Sequence, residues 1–311
     1  MKLATYNIHY GVGLDGCLDL RRVVDALGDA DVIALQEVDV GWKRSGNSNQ
    51  PELIAEMLPD YEFGWGPTVD VRMSVNALAP ARRRRQFGNM ILSRYPILSI
   101  RNYLFDKYNC AEFLEMQRGA LEVTISTPIG ILRIYSTHLC NLSERQRIRQ
   151  LQNLLGVHNT ASREGPIISG EHADPSWSAE DQLPIMPANA VILGDMNFAP
   201  SSAAYEEIVG EFSSKYGYLA QRDGFVDAWA LANGTKVGFD IAAGATTSSY
   251  SGEARRIDYC FVSAELAPLV LKADVNLNAV GSDHFPLIVT LNCGDPRGVL
   301  PAPGTGEVIH R

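Results

Sequence analysis

The sequence predicts an α/β protein with two similar strand-rich halves, an arrangement that makes a two-sheet sandwich natural. Three observations carry this expectation. Uninterrupted apolar runs of strand length recur, as in Val32-Ile33-Ala34-Leu35 and Ala190-Val191-Ile192-Leu193, and read as strands buried on both faces. Capped segments with helical apolar spacing lie between strand runs. An irregular stretch near the middle of the chain, residues 162–187, divides the two halves.

In chain order, a strand over residues 2–8 delivers Asn7 and His9 at its exit, followed by a loop with Gly11, Gly13 and Gly16. Asp19 is placed to cap a helix carrying Leu20, Val23, Val24 and Leu27 on one face, ended by Gly28. The run from Asp31 to Val38 is a strand that ends in the carboxylate of Glu37. A polar loop with Arg44 and Ser45 leads to a short helix around residues 53–58 and a strand over 61–65. Arg82-Arg83-Arg84-Arg85 reads as a solvated loop, with contact to an anionic substrate as the alternative, and runs into a strand at residues 88–94. Strands follow at 97–105, 117–126 and 130–138, the last ending in His138. Ser143 and Gln146 form a capping-box pattern for a helix with Ile148, Leu151 and Leu155 on one face.

Residues 162–187 lose periodicity, and their length suggests a lid or substrate-facing loop in which His172 and Asp174 are ordinary surface residues. The buried strand then stops at Gly194-Asp195-Met196-Asn197. A helix near residues 203–209, an apolar strand through Asp258 and a strand opened by Gly281-Ser282-Asp283-His284 complete a single domain over residues 1–292. Residues 293–311, rich in Gly and Pro, read as a loosely held tail.

A chain of 311 residues has no difficulty burying a sizeable core. Apolar residues make up 46% and charged residues 20%, and no apolar run spans a bilayer, so a globular protein without a transmembrane segment is expected. The chain enters a strand directly in place of a basic-then-apolar leader, and its five scattered cysteines lack CxxC spacing. Both features suggest a reducing cytoplasm and argue against a disulfide framework or a zinc site. A net charge of −9 argues against indiscriminate gripping of nucleic acid, although a local groove stays open. No protein partner is evident.

Eight polar residues sit at the edges of apolar runs: Asn7, Glu37, His138, Asp195, Asn197, Asp258, Asp283 and His284. Each alone has a plain structural reading. Asp and Asn form turns, a buried His is usually a hydrogen-bonded core residue, and Asp258 beside Arg256 could be an ion pair. Together they supply hard oxygen ligands without thiols, which suits magnesium, or manganese. Such an ion with two histidines suits hydrolysis of a phosphate ester.

Six blocks in order, Thr5-Tyr6-Asn7-Ile8, Leu35-Gln36-Glu37-Val38, Ser136-Thr137-His138-Leu139, Gly194-Asp195-Met196-Asn197, Arg256-Ile257-Asp258-Tyr259 and Ser282-Asp283-His284, resemble the signatures of the endonuclease/exonuclease/phosphatase superfamily, the deoxyribonuclease-I-like hydrolases. The resemblance implies a four-layer αββα sandwich, two mixed sheets face to face with helices outside. It implies that Glu37 is the principal metal ligand, with Asn7 and Asp283 beside it. Asp195 resembles the group that orients or deprotonates the attacking water, and Asn197 the amide that positions it. His284, oriented by Asp258, resembles the imidazole on the scissile phosphate, and His138 the second histidine, a candidate acid for the leaving oxygen. Arg118 resembles an arginine on the phosphate, with Asn89 and His9 as further substrate contacts. The implied activity is a magnesium-dependent phosphodiesterase acting on a soluble phosphodiester. A DNA or RNA nuclease, a sphingomyelinase-like lipid phosphodiesterase and a catalytically silent phosphate-binding protein are the alternatives.

Overall fold

The apolar runs become the centres of two mixed six-stranded sheets. The computed structural model describes residues 1–72, 84–170, 172–177, 186–219, 221, 223–234, 244–247 and 254–294. Arg82 and Arg83, residues 171 and 178–185 of the 162–187 stretch, and the tail from residue 295 lie outside the described residues.

The first half supplies β1 (Lys2–Asn7), α1 (Leu20–Ala26), β2 (Val32–Val40), α2 (Gln50–Met57), β3 (Glu62–Arg72), β4 (Arg84–Ser93) and β5 (Ile97–Leu104). Next come β6 (Gly119–Thr127), β7 (Gly130–His138), α3 (Glu144–Glu164), β8 (Ala190–Asp195), α4 (Ala203–Val209), and the short pair β9 (Phe212–Ser213) and β10 (Gly217–Tyr218). The chain closes with β11 (Phe225–Asp227), α5 (Ala228–Asn233), β12 (Asp258–Ser263), β13 (Val270–Val275) and β14 (Leu287–Leu291). The sheets run β13-β14-β1-β2-β4-β3 and β11-β12-β8-β7-β6-β5. Each has one parallel pair at its centre, β1 with β2 and β7 with β8, and antiparallel neighbours outside.

The layers follow from which faces are apolar. Leu3, Val32, Ala34, Leu121, Val123, Ile134, Val191, Leu193 and Val289 are all fully buried in the core between the sheets. Tyr6, Ile33 and Leu35 pack the outer face of the first sheet against Val23 and Val24 of α1, Leu27 at its C-cap, and Ile54 of α2. Tyr135, Ile192, Tyr259 and Phe261 pack the outer face of the second against Leu151 and Leu154 of α3 and Tyr205 and Ile208 of α4. This is the four-layer αββα sandwich. Asp19 caps α1 by accepting the Arg21 N–H, as its position predicts.

Two local departures aim side chains at one end of the sandwich. Leu35 pairs with Met90 and Val38 with Gly88, so Gln36 and Glu37 together oppose the single residue Asn89. This bulge puts Glu37 at φ 60°, a region a glutamate occupies only when its surroundings hold it there. In β8, a Cβ on Gly194 would lie 1.9 Å from the Thr137 carbonyl oxygen, so only glycine lets β8 come this close to β7 just before Asp195.

Several expectations change in detail. Helix α3 continues to Glu164, three residues into the stretch read as irregular, and residues 175–177 form a 3₁₀ turn. Arg84 and Arg85 belong to β4 rather than a loop, and Arg84 pairs with Asp70 across the β3–β4 ribbon. Ser143 caps α3 by accepting the Gln146 N–H, as the capping-box pattern predicts. Among the described residues no helix is long and apolar enough to cross a membrane.

His158 on α3 packs its ring 4.7 Å from Phe225, and Arg133 Nη1 donates to its backbone oxygen. Burial, then the Arg133 charge, push the imidazole down from 6.5 to about 4. The unfolded chain therefore binds a proton that the folded chain refuses. The stability this neutral ring contributes is complete above pH 6.5 and is lost as pH falls toward about 4. Replacing His158 by Gln is expected to shrink the difference in urea midpoint between about pH 7 and about pH 4.5. An undiminished difference would assign the acid sensitivity to other groups.

Candidate active site

Parallel pairing sets the exit of β1 beside that of β2 and the exit of β7 beside that of β8, and contacts of Asn7 with Asp195 and of Glu37 with His138 bring the two pairs together at one edge of the sandwich. Asp195 closes β8, with its side chain 2% exposed. Asn7, on the other sheet, donates from Nδ2 to Asp195 Oδ2 at 2.9 Å and lies 3.3 Å from Glu37 Oε1. Asp195 Oδ1 accepts the backbone N–H of Asn197 at 2.9 Å, a turn that places Asn197 at φ 53°. The Asn197 amide nitrogen then reaches both the Leu139 carbonyl at 3.1 Å and His138 Nε2 at 3.0 Å. With that nitrogen facing the ring, Nε2 accepts, and neutral His138 carries its proton on Nδ1, 3.8 Å from Glu37 Oε1.

The last block, Ser282-Asp283-His284, lies just before β14. Ser282 Oγ donates to the Asn7 carbonyl at 2.7 Å and accepts the His284 N–H at 3.2 Å, which ties this segment to the exit of β1. His284 Nδ1 lies 2.8 Å from Asp258 Oδ2, and its Nε2 lies 3.8 Å from Asp195 Oδ2. Asp258 therefore does not pair with Arg256; that arginine is taken by Asp227, which also accepts the Tyr205 hydroxyl. The reason is register. Asp258 faces Asp195 across β8–β12, while Arg256 precedes β12 and stacks over Trp229 and Tyr259. Asp283 Oδ1 lies 3.3 Å from Ser282 Oγ and 3.7 Å from His9 Nδ1.

Electrostatics divide the two histidines. Burial opposes a charge on His284, but the Asp258 carboxylate, its hydrogen bond and then Asp195 outweigh burial and raise the pKa to about 10. His138 is held well below 6.5 by burial first, then by the nearby charges of Arg118 and His284. Burial, then the Asp258 charge, push Asp195 up to about 7 against the opposing pull of His284, the Asn7 amide and the Asn197 N–H. At neutral pH the site thus combines an imidazolium, a neutral imidazole and a carboxylate of raised proton affinity. An acid role for His138 would need the imidazolium that its surroundings disfavour.

Arg118 is 4% exposed; its Nη2 donates to Asn141 Oδ1 at 3.3 Å, while its buried Nε and Nη1 have no hydrogen-bond partner. Asn89, opposite the Glu37 bulge, donates to the Gly119 carbonyl at 3.2 Å. His9 sits at φ 44°, gives its N–H to Asn7 Oδ1, and turns Nδ1 to the Val12 carbonyl at 3.1 Å. Sequence reasoning missed Asn141, and it missed Thr246, whose Oγ1 accepts the Asp258 N–H at 3.1 Å and whose carbonyl accepts from Phe285. Thr246 lies in a turn-rich region with no periodicity to single it out.

Among the described residues, Asp195, Asp258 and His284 are the one group of three or more His, Cys, Asp or Glu side chains whose ligand atoms lie within 4.8 Å of one another. Their atoms face each other, with the imidazole shared between two acids, so the group reads as a proton-holding chain rather than a cation cradle. Glu37, which accepts from the Asn7 amide nitrogen, and Asp283, beside His9, are partly exposed, at 20% and 26% of their side chains. Two carboxylates and an amide oxygen fit a hard cation such as magnesium or manganese.

A structure of an endonuclease/exonuclease/phosphatase from Beutenbergia cavernae is similar to this chain, with a TM-score of 0.60 at 20% identity over 94% of this chain and 72% of that one. A mannosyl-6-phosphatase from Bacteroides thetaiotaomicron is similar with a TM-score of 0.56 at 16% identity, over 94% of this chain and 99% of that one. A 3′ phosphatase from Neisseria, solved with a product DNA hairpin, gives 0.55 at 16% identity over 94% of this chain and 99% of that one. These likenesses show the fold. No curated protein matches the chain. The model of the Endonuclease/Exonuclease/phosphatase family matches residues 4–284, and the chain belongs to that family of hydrolases acting on phosphate esters.

Proposed function

We propose that this protein is a magnesium- or manganese-dependent phosphodiesterase in which Asp195 activates water and His284 binds the scissile phosphate. The observation that carries the reading is the convergence of Asn7, His138, His284 and Asn197 around the buried Asp195 carboxylate. Glu37, Asp283 and the Asn7 oxygen are the proposed metal ligands. An ion held there supplies positive charge to the phosphoryl and leaving oxygens.

Asp195 accepts a proton as the water oxygen bonds to phosphorus and the P–O bond to the leaving group breaks. A base with a pKa raised toward neutrality is matched to that task. Asn197, locked by Asp195 and Leu139, orients the water. The His284 imidazolium, kept charged by Asp258, donates from Nε2 to a non-bridging oxygen where negative charge develops. Neutral His138 fixes Asn197 and turns its Nδ1–H toward the reacting face. A second reading, a phosphomonoesterase, is supported by the two buried unpartnered donors of Arg118, which suit a dianionic phosphate. The net charge of −9 makes nucleic acid the less favoured diester.

Asp195→Asn is expected to lower kcat by about 10²–10⁴ without unfolding the protein, measured on bis-p-nitrophenyl phosphate, p-nitrophenyl phosphate, plasmid DNA, short RNA and sphingomyelin. Near-normal turnover of every cleaved substrate by this variant would overturn the mechanism. Turnover of the monoester but not the diester would select the second reading. Asp258→Asn removes the charge that holds the His284 proton, so the alkaline fall of kcat/KM should move from near pH 10 to lower pH. An unmoved alkaline limb would detach His284 from the rate.

A further inference from the structure

The site rests on backbone that two buried glutamines hold in the same way, one in each half of the fold. Gln50 opens α2 and is 0% exposed; its Oε1 accepts the backbone N–H of Asp39 at 2.9 Å. Gln150 on α3 is also 0% exposed, and its Oε1 accepts the backbone N–H of Cys140 at 2.8 Å. Asp39 lies two residues beyond Glu37, and Cys140 two residues beyond His138. The strands correspond as well. β2 and β7 each hold the third interior place of their sheet, beside the parallel partner, and each is followed by the helix that bears the glutamine.

An arginine reinforces each clamp. Arg44 grips the fully buried Asp39 carboxylate from Nε and Nη2, both at 2.8 Å, while its guanidinium stacks over Tyr10 and Trp42 at 4.5 and 4.9 Å. Arg147 Nη1 donates to the Cys140 carbonyl at 3.1 Å. The second arm of Gln50 ties the clamp to the exit of β1, where Nε2 donates to the Tyr10 carbonyl at 2.6 Å. Helix packing alone would be served by an apolar side chain at either place. A buried amide aimed at one backbone N–H instead fixes where the strand exit lies, since a buried N–H left unpaired is destabilising. Glu37 has the greater need, because its bulge holds φ at 60°.

We propose that Gln50 and Gln150 are paired positioning residues: Gln50 sets the Glu37 carboxylate for the metal, and Gln150 sets the His138 imidazole for the substrate. The proposal rests on the metal and phosphate roles given above, and the two halves predict different losses.

The test uses the full-length protein carrying Gln50→Met or Gln150→Met, which keep side-chain length and remove the amide. Manganese binding is followed by the electron paramagnetic resonance signal of the free ion, and kcat is measured at saturating metal on whichever p-nitrophenyl ester the wild type cleaves. Gln50→Met is expected to weaken manganese binding about tenfold or more with kcat recovered at saturating metal, as other outer supports of metal ligands do. Gln150→Met is expected to leave manganese binding within about twofold and to lower kcat about tenfold. Gln150→Glu keeps the acceptor for the Cys140 N–H and should restore most of kcat.

Equal losses in both readouts for both variants, or lowered melting temperatures with both readouts unchanged, would overturn the proposal. Should a Met variant fail to melt cooperatively, Arg44→Lys replaces Gln50→Met and Arg147→Met, which removes the donor to the Cys140 carbonyl, replaces Gln150→Met; the same split is required. Glu37→Gln separates the two levels of reading. If it leaves manganese binding intact, the metal assignment fails; if it weakens binding while Gln50→Met does not, only the positioning role fails.

Discussion

The site depends on keeping one carboxylate, Asp195, out of water and in contact with both sheets. Desolvating a carboxylate costs several kcal/mol, and here the offset comes from the Asn7 amide, the Asn197 N–H and the positive charge of His284. Asn7 belongs to β1 and Asp195 to β8, so the two sheets must end at the same level and with the same facing. A slip of one residue in either strand would turn its side chain to the opposite face and leave the carboxylate uncompensated. Gly194, the bulge at Glu37 and the Ser282 tie to the Asn7 carbonyl all serve that single alignment.

An apolar core alone would not fix this level, because hydrophobic burial is indifferent to small sliding. Between the sheets, below the site, runs a polar seam. Thr5 Oγ1 donates to Gln36 Oε1, Gln36 Nε2 donates to Ser136 Oγ at 3.0 Å, and Ser136 Oγ donates to the Leu35 carbonyl. All three side chains are fully buried. A directional seam of this kind permits one register, since any shift leaves several buried groups unpaired. Gln36 lies in the bulge itself, so the seam and the strained Glu37 backbone are parts of one device.

The fold and the members of the site were legible in the sequence where local signals agree. Four-residue apolar runs followed at once by Asp195 or Glu37 mark strand exits, and Asp19 marks a helix start. What stayed hidden is relational. Nothing near Asp258 tells whether it will meet Arg256 or His284, because that is decided by β12 register and by Asp227, 31 residues earlier. Gln50 and Gln150 look like ordinary polar helix residues until the strand exits they hold are brought to them. The bulge leaves no mark on an apolar pattern, and the 162–164 segment belongs to α3 although its composition resembles the irregular stretch beyond.

Charge at the site explains how an acidic protein can act on a phosphate. Asp195, Asp258, Glu37 and Asp283 bring four negative charges when ionised, against two positive charges from His284 and Arg118, a balance of 2 − 4 = −2. That excess repels an anionic substrate. The chain relieves part of it internally by raising the proton affinity of Asp195. The remainder lies on Glu37 and Asp283, whose side chains are the partly exposed ones. A divalent cation on that side offsets it, and the unpartnered Arg118 donors and the imidazolium then act in a desolvated setting where each counts for more than it would in water. On the proposed reading, attraction for substrate is therefore built within a few residues and conditional on the cation. The overall charge of −9 keeps the remaining surface from holding polyanions it does not cut.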